Sequence, residues 1–444
     1  MQLSSLLGHT QEILSTILRF EKPADSLLDS FFRSRKYLGS HDRRFIAETS
    51  YGVVRHLRRL QAVLDRSLRS GEDTLLEDDR ILLTIVAYTR MARTSDTPAV
   101  ADVTPRIKSD RLKGQIEAIL PRLLKNVVEP SLLEGEPLGV RYSFPEWIVD
   151  GLAREHTAEE VEEILRSLNE PAPLTIRANT LKTDVDTCRR LLKAEGVETA
   201  RTTISPLGLF IRKRINMFSL KAFRDGLFEV QDEGSQIIPL LIDPKPTVKV
   251  LDACAGAGGK TLEFSALMKN RGEIVASDVS GFRLDELKKR ARRAGASNVR
   301  IKAVDSLDDL AESYSASFDI VFVDAPCTGL GTIRRNPGIK WSVTPTAVEE
   351  VSTKQKSILM SSAVLVKPGG MLVYATCTLL KQENEDVVDS FLRAQDGFRL
   401  VDPGSMMRRL PITGAIDGQF IKLFPHRHGT DGFFCAILVK SRPV

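Results

Sequence analysis

The sequence is short of several things at once. Its 444 residues contain only five cysteines, no CxxC pair, and six histidines that form no cluster beyond "HRH" at 426–428. An odd, small number of thiols argues against a disulfide-framed fold. The missing pairs argue against a structural zinc, so no metal site is expected. No apolar run reaches the roughly 18 residues a membrane helix needs. The opening "MQLSSLLGHTQEILSTILRF" lacks the basic-then-apolar order of a secretory leader. A cytoplasmic protein with no membrane partner is therefore expected. Charge of one sign is scarce too: 63 basic residues face 58 acidic ones, a net of +5. Neither an internal repeat nor a low-complexity tract occurs.

What is present is an ordinary globular composition, 42% hydrophobic and 27% charged, at a length that calls for two or three domains. Residues 1–140 carry helix-like apolar spacing, as in "RFIAETSYGVVRHLRRLQAVLDRSL". Ser40 is placed to cap one helix, and Thr157 with Glu160 matches a capping box. Residues 141–235 begin with a helix pair and turn to a mixed strand–helix pattern, which predicts a small α/β module. Residues 236–444 alternate strand and helix ("VKVLDA", "EIVASD", "VRIKAVD", "DIVFVDAP", "GMLVYATC"), the mark of a Rossmann-like, doubly wound parallel sheet, with "FFCAILVK" able to add a last strand.

In such sheets ligands sit beyond the carboxyl ends of the strands. Asp252, Asp278, Asp305, Asp324 and Cys377 all fall there. The loop "DACAGAGGKT" misses a phosphate-binding loop because Cys254 stands where its first glycine belongs. It misses a dinucleotide fingerprint because Gly259 follows Gly258 at once. The remaining reading is a loop for S-adenosylmethionine (SAM), formed by Cys254, Ala255, Gly256, Ala257, Gly258, Gly259 and Lys260. Asp278, about twenty residues on, would accept the ribose hydroxyls, and Asp305 would take the adenine amino group. Arg283 and Asp324 complete the expected cofactor set.

Two cysteines end neighbouring strands, in "DAPCTG" (324–329) and "ATCTLL" (375–380). As residues alone they are either buried fillers or two halves of one reaction. Together with "DACAGAGGKT", "DAPCTGLGTIRRNPGIKW", "YATCTLLKQENE" and "DGFFCAIL", the chain resembles RNA (cytosine-5)-methyltransferases of the RsmB/Sun (Fmu) type. The helical start, with "RSRKYLGSHDRRFIAETSYGVVRH", is similar to their NusB-like RNA-binding domain. Gly256-Ala257 stands where members commonly have Ala-Pro, and Thr378 where they have serine. The resemblance implies a nucleophilic Cys377, a release-assisting Cys327, an Asp324 that hydrogen-bonds the cytosine ring, and a Lys260 that holds or polarises the site. In related DNA enzymes the nucleophile follows a proline, as Cys327 does, so the reverse assignment stays open.

The implied substrate is 16S ribosomal RNA, protein-free or early in assembly, bound by a monomer. Alternatives are a transfer-RNA cytosine-5 methyltransferase and a non-catalytic NusB-like assembly factor. Two basic tracts carry eight Lys/Arg against two acids each, 33–59 and 283–302, and such clusters can neutralise phosphates. Arg33, Arg35, Lys36, Arg43, Arg44, Arg55, Arg58 and Arg59 are the expected backbone contacts, some of them paired with Asp42 and Glu48. Arg334, Arg335 and Lys340 are expected beside the target base, and Trp341 either stacks there or packs as a core or lid residue.

Overall fold

Apolar residues at helical spacing in the first 170 residues do form helices, beginning with Leu3–Ile17, Ala24–Ser34, Ser40–Arg55 and Leu57–Ser67. The computed structural model describes residues 1–68, 75–92, 97–213, 215–408 and 410–442. The inward stripes close on a core in which Leu7, Leu14, Ile46, Leu60, Leu64 and Leu82 are fully buried. Each such leucine contributes roughly 1.5–3 kcal/mol relative to exposure. Thr157 caps its helix as expected, accepting from the Glu160 amide at 3.3 Å. Ser40 does not cap: it is the first helical residue, Gly39 is the cap, and Asp42 accepts from the Gly39 amide at 3.2 Å.

The chain divides into two units, Met1–Glu170 with Ile333–Thr344, and Pro171–Thr332 with Pro345–Val444. Residues 141–170, expected to open the α/β module, group with the preceding helices. The reason is local: Ser143 Oγ accepts from the Arg58 amide at 2.9 Å, and Arg58 Nη1 donates to the Phe144 carbonyl at 2.6 Å.

The second unit holds two sheets. The smaller is antiparallel, in the order β2-β3-β1-β4, from β1 (Thr175–Ala178), β2 (Thr199–Arg201), β3 (Gly208–Ile211) and β4 (Phe228–Val230). The larger runs β11-β12-β13-β9-β8-β5-β6-β7, built from β5 (Lys249–Asp252), β6 (Glu273–Asp278), β7 (Val299–Ala303), β8 (Phe318–Asp324), β9 (Val366–Thr376), β11 (Ile416–Asp417), β12 (Phe420–Leu423) and β13 (Phe433–Lys440), with β10 (Phe398–Leu400) paired to β13. Strands β5 to β9 are parallel, and β13 joins β9 antiparallel. Chain order reverses between β5 and β8. That reversal opens a crevice at the carboxyl ends of these two strands. Among the described residues no helix is long and apolar enough to cross a membrane.

Buried charge joins the small sheet to the large one. Glu229 receives Arg290 at 2.8 Å and Arg293 at 2.5 Å, so these two members of the second basic tract are consumed internally.

Candidate active site

The glycine loop follows β5 and leads into the helix Gly259–Leu267. Gly256 and Gly258 have φ of +53° and +84°, a region costly for other residues. A Cβ on Gly258 would lie 2.0 Å from Leu287. One on Gly256 or Gly259 would meet open space, so at those two positions the bare backbone is exposed to a ligand. Asp278, the last residue of β6, accepts from the Gly256 amide and the Ser280 amide, both at 2.8 Å. Its carboxylate thereby shapes the loop and still retains lone pairs facing the cavity.

That cavity, about 340 Å³, is lined by Cys254, Asp278, Arg283, Asp305 and Asp324, among others. A second one of about 400 Å³ is lined by the whole loop from Cys254 to Lys260 and by Asp252, Arg283, Asp324, Cys327 and Cys377. The two share Cys254, Arg283, Asp324 and Pro326. Every residue singled out in the sequence as catalytic or cofactor-binding lines one or both. Asp305 lies just past β7 rather than on it, exposed at the cavity wall.

The two thiols meet. Cys327 Sγ lies 3.4 Å from Cys377 Sγ, and all five cysteines are free. The next residues meet as well, Thr328 Oγ1 and Thr378 Oγ1 being 3.1 Å apart. Thr378 stands where the resemblance has serine, and it keeps the hydroxyl. Backbone bonds align the turns: Ala325 N to Ala375 O at 2.8 Å and Gly331 N to Cys377 O at 2.9 Å. The hydrogen bond with Cys377, then burial, raises the Cys327 pKa well above the ordinary thiol value. Cys188 and Cys435 are buried, and burial pushes both to about 12, as befits inert core thiols.

Beside the thiols, Lys260 Nζ donates to Asp324 Oδ2 at 2.7 Å and sits 5.7 Å over the Phe433 ring. Burial, the largest single influence, lowers the Lys260 pKa, but the charge and hydrogen bond of Asp324 together with the nearby Cys377 and Asp252 leave it raised. Asp252, 1% exposed, accepts from Thr261 Oγ1 at 2.6 Å through Oδ2, while its Oδ1 has no partner. Burial pushes its pKa up to about 7. Among the described residues no three metal-ligating side chains gather.

Sequence reasoning missed Glu383. It is fully buried and accepts from the Thr328 amide at 2.8 Å, the Thr328 hydroxyl at 2.6 Å and the Thr378 hydroxyl at 2.9 Å. The signal was the acidic run "ENE" shortly after Cys377, but nothing in a sequence says that such an acid turns inward.

The stretch after the first thiol differs from expectation. Lys340 is fully buried; its ammonium donates to the carbonyls of Arg55 and Ser143 at 3.0 and 3.1 Å and to Asn169 Oδ1 at 2.5 Å. It is not a phosphate contact. Trp341 packs on the helical core and donates to the Val54 carbonyl at 2.8 Å, which is the packing outcome rather than the stacking one. In the first basic tract the partners are also internal. Arg35 pairs with Glu12 at 2.5 Å, Arg58 with Glu146 at 2.8 Å, Arg33 with Asp29, and Arg55 donates to the Arg334 carbonyl at 2.9 Å. Asp42, expected to pair with this tract, pairs instead with the terminal ammonium at 3.3 Å. Lys36 and Arg44 remain exposed.

The chain is similar to known proteins along most of its length. A family model described as 16S rRNA methyltransferase RsmB/F matches residues 239–439, and one described as a ferredoxin-like domain of RsmF/B-like methyltransferases matches residues 144–217. A probable ribosomal RNA small subunit methyltransferase B of Synechocystis sp. is 30% identical, over 97% of this chain and 98% of its own. A probable counterpart from Bacillus subtilis is 28% identical, over 99% of this chain and 100% of its own. The crystal structure of PH0851 aligns over 99% of each chain with 27% identity and a TM-score of 0.76.

Proposed function

The chain belongs to the RsmB/F family of 16S ribosomal RNA methyltransferases and uses SAM, and from that premise we propose that it methylates carbon 5 of a cytosine through a covalent cysteine–cytosine intermediate. The observation that carries this reading is the pair of free thiols 3.4 Å apart, lining one cavity with the Lys260–Asp324 pair. A protein needing only two small core fillers has no reason to line a cavity with them.

The cofactor fits what is there: bare backbone at Gly256 and Gly259 for its amino-acid end, Asp278 for the ribose, Asp305 for the adenine amine. When bound, it supplies an electrophilic methyl on a sulfonium and is left as a neutral thioether. The protein must make carbon 5 nucleophilic. The Cys377 thiolate adds to carbon 6, and the π pair moves toward carbon 5. Asp324 accepts from the exocyclic amine while Lys260 donates toward the ring, which relieves the charge gathered there. After methyl transfer the carbon 5 proton passes to water. The double bond re-forms, and the sulfur–carbon bond breaks with its pair on Cys377 Sγ. Cys327, keeping its proton, donates a hydrogen bond to that departing sulfur.

The substrate cytosine must be unstacked, in a loop or single strand. A NusB-like helical domain would supply RNA contacts, and a cytoplasmic monomer suffices for this scheme. The test uses wild type, Cys327→Ser and Cys377→Ser with SAM and a protein-free 16S transcript, with a transfer RNA alongside. Cys377→Ser should lose methylation and adduct together, at least about 10³-fold in rate. Cys327→Ser should accumulate a denaturation-resistant adduct. The reversed pattern makes Cys327 the nucleophile, and methylation of the transfer RNA alone moves the substrate.

A further inference from the structure

The scheme above asks two chemically identical thiols, in contact, to do different things. We propose that Glu383 is the positioning residue that sets them apart, clamping both cysteine turns together and holding its carboxylate on the Cys327 side, so that Cys377 attacks and Cys327 keeps its proton. The inference rests on the covalent reading and deepens it.

The geometry is a two-rung register. Cys327 faces Cys377 at 3.4 Å, and Thr328 faces Thr378 at 3.1 Å. Glu383 closes the second rung, since one oxygen, Oε2, accepts from both threonine hydroxyls, at 2.6 and 2.9 Å. Its other oxygen, Oε1, accepts from the Thr328 amide at 2.8 Å. Gln355 Nε2 lies 3.4 Å from that same oxygen and donates to the Pro326 carbonyl at 2.9 Å. The carboxylate is thus tied to both flanks of Cys327 but to only one hydroxyl beside Cys377.

The acid is itself anchored through its backbone. Its backbone carbonyl receives the Tyr374 hydroxyl at 2.6 Å, and the preceding Gln382 carbonyl receives Ser352 Oγ at 2.6 Å. Among the described residues no cation pairs with it, so its charge is answered by hydrogen bonds alone. A buried negative charge disfavours a second one nearby. Glu383 is accordingly among the groups that raise the Cys327 pKa, after the Cys377 contact and burial. Anchoring through the neighbouring residues leaves both sulfurs unobstructed toward the cavity they line.

Glu383→Gln keeps the size, removes the charge, and turns one acceptor into a donor facing donors. The full chain and this variant are reacted with SAM and a 16S transcript carrying 5-fluorocytidine, whose carbon 5 substituent cannot leave as a proton, so the adduct persists. Digestion and mass spectrometry then locate the modified cysteine. In wild type the nucleotide is expected on Cys377 alone. In Glu383→Gln the rate of adduct formation falls about 10- to 100-fold, the KM for SAM is unchanged, and part of the adduct appears on Cys327. A variant that reacts at the wild-type rate, or slowly but on Cys377 alone, overturns the proposal. Should Glu383→Gln not fold, Thr378→Val cuts only the Cys377 side of the clamp. It should slow adduct formation several-fold while thermal unfolding stays a single cooperative transition, and a wild-type rate overturns the clamp. Wild type without adduct on either cysteine defeats the covalent reading itself, a result distinct from all of these.

Discussion

At the carboxyl ends of β5, β6, β8 and β9, polar groups are left incompletely satisfied: Asp252 Oδ1 has no partner, and Asp278, Asp324 and both thiols line cavities. In the segment 333–344 and the basic tract 33–59, charges that look available in the sequence are largely answered within the protein. Lys340 has three acceptors for its three N–H groups, and Arg33, Arg35 and Arg58 have carboxylates. The difference teaches where a ligand is wanted. Leaving a buried acceptor bare costs about 1–3 kcal/mol, and at Asp252 the residue carrying it lines a cavity where a ligand can offset that cost.

The strongest way to break the comparison is to remove the amine that is most fully hydrogen-bonded. Lys340→Met strands two carbonyls and an amide oxygen, and it should lower stability by about 4 kcal/mol, read as a drop in the denaturation midpoint of the transition followed in the helical unit. If instead stability holds and RNA affinity falls with a smaller salt dependence, Lys340 is a phosphate contact after all.

Asp252 sharpens the other side. Its folded pKa is about 7 against an ordinary 3.8, so between those values the folded protein holds a proton that the unfolded chain has released. Stability from this group therefore falls as pH rises from about 4 to about 7, then levels. Asp252→Asn should gain on wild type across that window, by about 4 kcal/mol in urea titrations at its upper end. A difference independent of pH would mean the carboxyl is not strained.

The smallest effect belongs to the exposed exceptions. Lys36→Ala and Arg44→Ala should each weaken 16S RNA binding a few-fold and reduce the slope of log affinity against log salt by about one, with no change in melting temperature. An unchanged slope would leave the basic tract as a structural feature only.

The legible part of the molecule was its catalytic sheet. Each of its parallel strands lay in a stretch readable as a strand, and "FFCAILVK" did join as β13, antiparallel to β9. Chain direction then forces Asp278 and Asp324 to strand ends. The RNA side was not legible, because a lysine on a helix or turn shows the same letters whether it meets water, phosphate or a carbonyl. Glu383 was invisible for a related reason. Acids are usually exposed, and only the meeting of two turns fifty residues apart supplies the donors that let one be buried.

What the sequence by itself determined was the doubly wound sheet, the carboxyl ends of its strands as the ligand side and the chemistry of the side chains there. Alternation of apolar runs and the handedness of their connections permit little else. Only the tertiary structure decided which thiols touch, which acid holds them, and which basic residues are already taken. Those are matters of partners distant in sequence, and a side chain's partner depends on what packs against it.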